Sequence, residues 1–201
     1  ALGAYNGQGA NRVDVNDMFH LVSRLTYPYK FSNGQILELS AQGITGTFRP
    51  VTVSTGMREQ RPPGGFKDDR AGISAILYPQ PLGIQAEWNW GTSARLNKAR
   101  TRIEQGDLAG GYVLVNYKID NPFTSQDVLF PFYKWQKYDG GMKFEQDAST
   151  QHLNEHEFGI EYQPWKSLEV VAEYVKTDRT NLSTGFQANA DLLRMQIQWN
   201  Y

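Results

Sequence analysis

The decapeptide Leu192–Tyr201, "LLRMQIQWNY", alternates without a break: Leu193, Met195, Ile197, Trp199 and Tyr201 against Arg194, Gln196, Gln198 and Asn200. Successive side chains of a β-strand point to opposite faces, so this segment has one apolar face and one polar face. In a soluble sandwich the apolar face would meet a second sheet. In an outer-membrane barrel it would meet lipid, with the polar face turned to the lumen.

Strand length favours the barrel. Period-two patterning recurs near residues 1–6, 18–28, 35–47, 69–79, 83–94, 107–118, 127–138, 152–163, 168–178 and 190–201. Most of these segments are about twice the roughly five to six residues of an ordinary globular strand. That length is what a tilted strand needs to cross a bilayer. The connections alternate as well. "PYKFSNG" (28–34), "PQPL" (79–82), "IDNPFTSQ" (119–126) and "QPWK" (163–166) are short and rich in turn-forming residues. Longer polar stretches fall between them, at 7–17, 48–69, 95–106, 139–151 and 179–190. An up-and-down barrel has short periplasmic turns and long external loops, and a Greek-key sandwich has no reason to alternate this way. The short turns and the C-terminus are therefore assigned to the periplasmic side.

Composition is compatible with this reading. A formal charge of -1 speaks against a nucleic-acid partner, which needs a basic face. The absence of cysteine removes disulfides and thiolate metal sites. Mean hydropathy is -0.55, and no apolar run is long enough for a helical span. A barrel needs only alternate residues to be apolar. Aromatic residues make up 13% of the chain, and Tyr162, Trp165 and Trp199 fall where a periplasmic aromatic girdle is expected. The stretch Ala1–Gly7, "ALGAYNG", lacks the basic region and long apolar core of a secretion signal. A removed leader or a piece of a longer chain is expected.

Phase then assigns faces. Leu168, Val170, Ala172 and Tyr174 are expected outward, with Glu169 and Glu173 inward. Phe158, Ile160 and Tyr162 oppose Glu157, Glu161 and Gln163; Ile84, Ala86, Trp88 and Trp90 oppose Gln85, Glu87 and Asn89. Val113, Val115 and Tyr117 oppose Tyr112, Asn116 and Lys118. "VLFPFYKWQKY" (128–138) has no clean face, and Pro131 predicts a bulge or irregularity because it removes a ladder hydrogen bond.

These residues carry a family likeness. "AYNGQGANRVDVND" (4–17), "RLTYPY" (24–29) with "NGQILELSAQG" (33–43), and "HEFGIEYQPWKSLEVVAEYVKTDRTN" (156–181) resemble the phosphate-selective porin O and P family. The resemblance implies a sixteen-stranded trimeric porin in which inward basic residues line a constricted anion path. It also implies that residues 1–201, a single β-barrel domain, are the C-terminal portion of a longer porin, with about six strands upstream. Ten strands closing alone would instead form a small barrel filled by its own side chains, a surface-binding or adhesion protein without an open pore.

The expected pore-lining residues are Arg24, Lys118, Lys134 and Arg194, opposed by Glu38, Glu87, Glu161 and Glu173. This wall is not notably basic, so phosphate selectivity does not follow from it: carboxylate rings favour cations. "RLNKARTR" (95–102) places Arg95, Lys98, Arg100 and Arg102 in one long loop, read as an anion funnel or as a solvated loop facing lipopolysaccharide. Arg58, Arg61 and Lys67 share that ambiguity, and "RPPGG" (61–65) could turn its loop into the lumen.

No cofactor or metal is expected. In "HLNEHE" (152–157) His152 and His156 share the outward phase at the rim without a third fixed ligand. A barrel hydrolase would need His20 to meet Asp14 or Asp17 and a nucleophile, for which no motif exists. "GQGANRVD" (7–14) lacks the ending of a phosphate-binding loop. The expected protein is a non-enzymatic outer-membrane porin. Its partners would be lipid, lipopolysaccharide, small solutes and two further copies of itself.

Overall fold

A computed structural model describes residues 1–7, 18–52, 62–182 and 184–200. Ten principal strands form one antiparallel sheet: β1 (Leu2–Tyr5), β2 (His20–Lys30), β3 (Ile36–Thr45), β6 (Asp69–Leu77), β7 (Leu82–Leu96), β8 (Ile103–Tyr117), β10 (Val128–Gly141), β11 (Thr150–Trp165), β12 (Leu168–Asn181) and β13 (Phe186–Trp199). Each pairs with its neighbour in sequence, and β9 (Ile119–Asp120) adds a short pairing to β10. Two further short strands, β4 (Thr47–Phe48) and β5 (Phe66–Lys67), make a separate hairpin. The sheet is open: β1 and β13 do not pair with each other among the described residues.

Every expected segment contains a strand; β1 has only four residues, and the others, from β6 at 9 residues to β11 at 16, have the length of bilayer-crossing elements. Register fixes the faces. The row Arg24–Gln42–Gly72–Asn89–Gly110–Tyr138 is continuous across six strands, and the row Lys134–Glu157–Val175 continues one face across β10, β11 and β12. The opposite face carries Leu25, Tyr27, Leu39, Ile73, Trp90, Phe158, Ile160, Leu193, Met195, Ile197 and Trp199, all exposed. Leu193 is 86% exposed and Ile197 72%. Apolar side chains so placed have no protein to cover them, and a solvent of low polarity is what their surface suits.

The sequence-derived faces hold on every strand named above. Two loop expectations change. Residues 95–106 do not form one long loop: β7 and β8 extend until only 97–102 separate them. Asn97 closes this turn, its Oδ1 accepting from the Thr101 and Arg102 amides at 2.9 and 3.2 Å. The stretch 179–190 likewise shortens, because β12 runs to Asn181 and β13 begins at Phe186. In both places the backbone gains ladder hydrogen bonds by continuing the pairing beyond the apolar band.

Pro131 does not displace the register. It stays opposite Ile160 of β11, while on the other side the ladder is interrupted between Phe132–Asn116 and Leu129–Ile119 and resumes in the same register. The missing amide is accommodated by a gap. The register shift lies instead between Tyr162 and Trp165 of β11. No described helix is long and apolar enough to cross a membrane.

Candidate functional site: the polar face of the sheet

Seven of the eight expected wall residues lie on one face: Arg24, Glu38, Glu87, Lys134, Glu161, Glu173 and Arg194. Lys118 has the matching phase but follows the end of β8. Its amide donates to the Pro81 carbonyl at 2.8 Å and its ammonium pairs with Asp120 at 2.8 Å, at the short-turn end.

The face divides into two electrostatic regions. Over β2, β3, β6 and β7 the Arg24 guanidinium donates to neutral acceptors: Gln42 Oε1 at 3.1 Å, Ser40 Oγ at 3.2 Å, Ser74 Oγ at 3.4 Å and Thr26 Oγ1 at 3.5 Å. The Gln42 amide donates on to Asn89 Oδ1, and the Asn89 amide to Glu87 Oε1. A planar fork held by hydroxyls and amides is oriented without losing its charge. Over β10 to β13 the cations are paired. Lys134 Nζ lies 3.1 Å from Glu157 Oε1, and Arg194 Nη1 lies 3.1 Å from Glu173 Oε1. Glu155 accepts from Gln136 and lies 3.9 Å from Arg194. Glu161 accepts from Gln163 at 2.6 Å and has no cationic partner among the described residues.

The four funnel candidates separate. Arg95 lies in β7 and Arg102 just precedes β8, and both lie near Glu104, at 3.4 and 3.6 Å. Lys98 and Arg100 remain exposed at the turn. Arg58, Arg61, Asp14 and Asp17, and most of "GQGANRVD", lie outside the described residues. Within "RPPGG", Pro62–Gly65 form a tight turn, with the Gly65 amide donating to the Pro62 carbonyl and a φ of 86° at Gly65 that suits glycine. The hairpin it joins packs Phe66 with Ala94, Leu96, Ile103 and Ala148, at the long-loop ends of β7 and β8.

A buried charge cluster at that same end has no local signature. His20 is buried and its Nε2 lies 3.2 Å from Asp68 Oδ2. Asp68 also accepts from Arg70 Nε at 2.8 Å and pairs with Lys143. Burial pushes the Asp68 carboxyl up, but the Arg70 and Lys143 cations outweigh it and hold it below the ordinary carboxylate range. The ligands come from β2, the β5–β6 connection, β6 and the 142–149 loop, so only tertiary structure could join them.

His152 pairs with Asp139, and His156 Nδ1 lies 2.8 Å from the Tyr133 hydroxyl. Both have the outward phase, and the described residues hold no group of three or more metal-ligating side chains. At the short-turn end Trp165 meets Trp199 edge-on at 6.3 Å, and Phe123 meets Tyr162 at 5.7 Å. The expected girdle residues thus sit together at that end.

No curated protein and no solved structure matches the chain. A family model does, over residues 1–201, and it is described as phosphate-selective porin O and P. The two-faced meander of bilayer-length strands is the architecture such a channel requires, and the match spans the whole chain: the protein belongs to the phosphate-selective porin O and P family.

Proposed function

We propose that this chain forms wall of a water-filled outer-membrane pore through which small hydrophilic solutes diffuse passively. The observation that carries the reading is the segregation of Arg24, Gln42, Glu87, Lys134, Glu157, Glu173 and Arg194 onto one face of a sheet whose other face is apolar and exposed. Such a surface suits lipid on one side and solvated ions on the other. Passage then needs no covalent chemistry: fixed charges on the wall bias which ions enter. Arg24, held by neutral acceptors, is the strongest anion-attracting group. Lys134, Arg194 and, at the short-turn mouth, Lys118 share that role with their charge offset by the paired Glu157, Glu173 and Asp120, and Glu38, Glu87, Glu161 and Glu173 oppose them. Lys98 and Arg100 present cations at the other mouth. The reading carries with it a homotrimer in contact with lipopolysaccharide, and further strands that complete the barrel beside β1 and β13.

The test is the zero-current potential of the purified full-length protein in a planar bilayer under a salt gradient. An anion-selective channel whose current falls on adding phosphate supports phosphate as the solute. A cation-selective channel means that the glutamates dominate the lumen. Failure to form any channel overturns the reading.

A further inference from the structure

One part of the polar face is not polar. Phe130, Phe132, Tyr112 and Leu114 have the same strand phase as Lys134 and Glu157, and their side chains are half-buried on that side of β8 and β10. The placement is built into the backbone. Gly159 lies opposite Phe132 in β11, and a Cβ there would fall on the Phe132 ring, so the glycine leaves the space that the ring occupies. Lys134 Nζ sits 5.9 Å from the centre of the Tyr112 ring. The rings border an open cleft of about 570 Å³ whose other walls include Gln85, Gln136, Glu157, Glu161 and Glu173.

An apolar surface turned toward water is unfavourable unless something uses it. We propose, on the reading of this face as a pore wall, that Phe130, Phe132 and Tyr112 with the flanking Glu161, Gln85 and Gln136 form a binding step for a neutral hydroxylated ring solute, a pyranoside. The ring's C–H face is apolar and weakly positive, and it fits the negative face of an aromatic side chain. Its hydroxyls are donors for the carboxylates and both donors and acceptors for the two amides. A small anion has no use for the aromatic rings. The nearby Lys134 and Arg194 are already neutralised by Glu157 and Glu173. Glu161, bonded only to an amide, remains as a free acceptor among the described residues.

The experiment uses the full-length protein in a planar bilayer, with maltose, mannitol and potassium phosphate as probes. Mannitol carries hydroxyls without a rigid C–H face. Maltose should close the channel reversibly and saturably, while mannitol changes the current only through viscosity. Phe132→Leu keeps apolar volume but removes the aromatic face, and should raise the half-blocking maltose concentration about tenfold. Phe130→Leu should act in the same direction, which guards against one variant that fails to insert. Equal effects of maltose and mannitol, block by phosphate alone, or unchanged maltose block in both variants would overturn the proposal while leaving the pore standing. Absence of any conductance in the unmodified protein overturns both.

Discussion

At the scale of single residues, neighbours decide what a charge can do. Arg24 is held by four neutral side chains, so its charge remains available to a passing anion. Arg24→Ala should lower the anion-to-cation permeability ratio about two- to threefold, as expected for one screened charge. Arg24→Lys should restore part of it, because the charge returns without the fork. The zero-current potential measures both. Asp68 is the opposite case, an anion enclosed by Arg70, Lys143 and His20. Asp68→Asn leaves the buried cations uncompensated and should cost about 3 kcal/mol of local stability. Since the folded-state value for Asp68 is depressed, its contribution is present above the unfolded value near pH 4 and is lost as pH falls through the folded value. Protection factors of the amides in 62–68 and 142–149, taken against the intrinsic exchange rate at each pH, should therefore fall on acidification in the native protein. In the Asn variant they should already be low and change little over that range.

Among elements, β13 gives the sharpest test of the two-faced reading. Met195 is outward and opposite Ala172, and Gln196 is inward and opposite Val171. Met195→Lys should cost about 2–4 kcal/mol of folding into lipid vesicles if it lies near the bilayer midplane, whereas Gln196→Lys should cost little. Equal penalties in a refolding titration would contradict the assignment. The alternation that makes this prediction possible was legible in "LLRMQIQWNY" because each residue of β13 has its face set by phase alone. The mixed segment 128–138 resisted the same reading. Phe130 and Phe132 share the phase of Lys134 and Gln136, and only the pairing of β10 with β8 and β11 shows which face they take. The ends of β7 and β8 were missed because 95–106 is mostly polar, while Leu96 and Ile103, whose burial with Phe66 joins ladder pairing in keeping it extended, carry no signal that is local to the stretch. The partner that His20 has among the described residues, Asp68, lies 48 positions away, and nothing local to either residue announces it. Periodicity reports the face a side chain takes, and it is silent on contacts between loops.

For the whole molecule, the claim is that one aqueous space borders the entire inward face from β3 to β13. These 201 residues contain no cysteine, so a cysteine introduced here is the only thiol among them, and the unsubstituted protein treated in parallel gives the background. Gln42, Gln85, Gln136 and Gln196 lie on four separate strands and share the inward phase; Ala41, Ala86 and Ile197 are outward neighbours in sequence. In lipid vesicles, Gln42→Cys, Gln85→Cys, Gln136→Cys and Gln196→Cys should each react with a charged, membrane-impermeant thiosulfonate, and reaction should change single-channel current. Ala41→Cys, Ala86→Cys and Ile197→Cys should stay unmodified until detergent replaces the bilayer. The contrast has a physical basis: the reactive species is a thiolate, which forms in water and is suppressed in hydrocarbon. A soluble sandwich would label its solvated polar face and protect its packed apolar face, but with no detergent dependence and no current to change. A small barrel filled by side chains would protect both faces. Only an open lumen bounded by lipid gives alternating reactivity on all four strands together with a change in current.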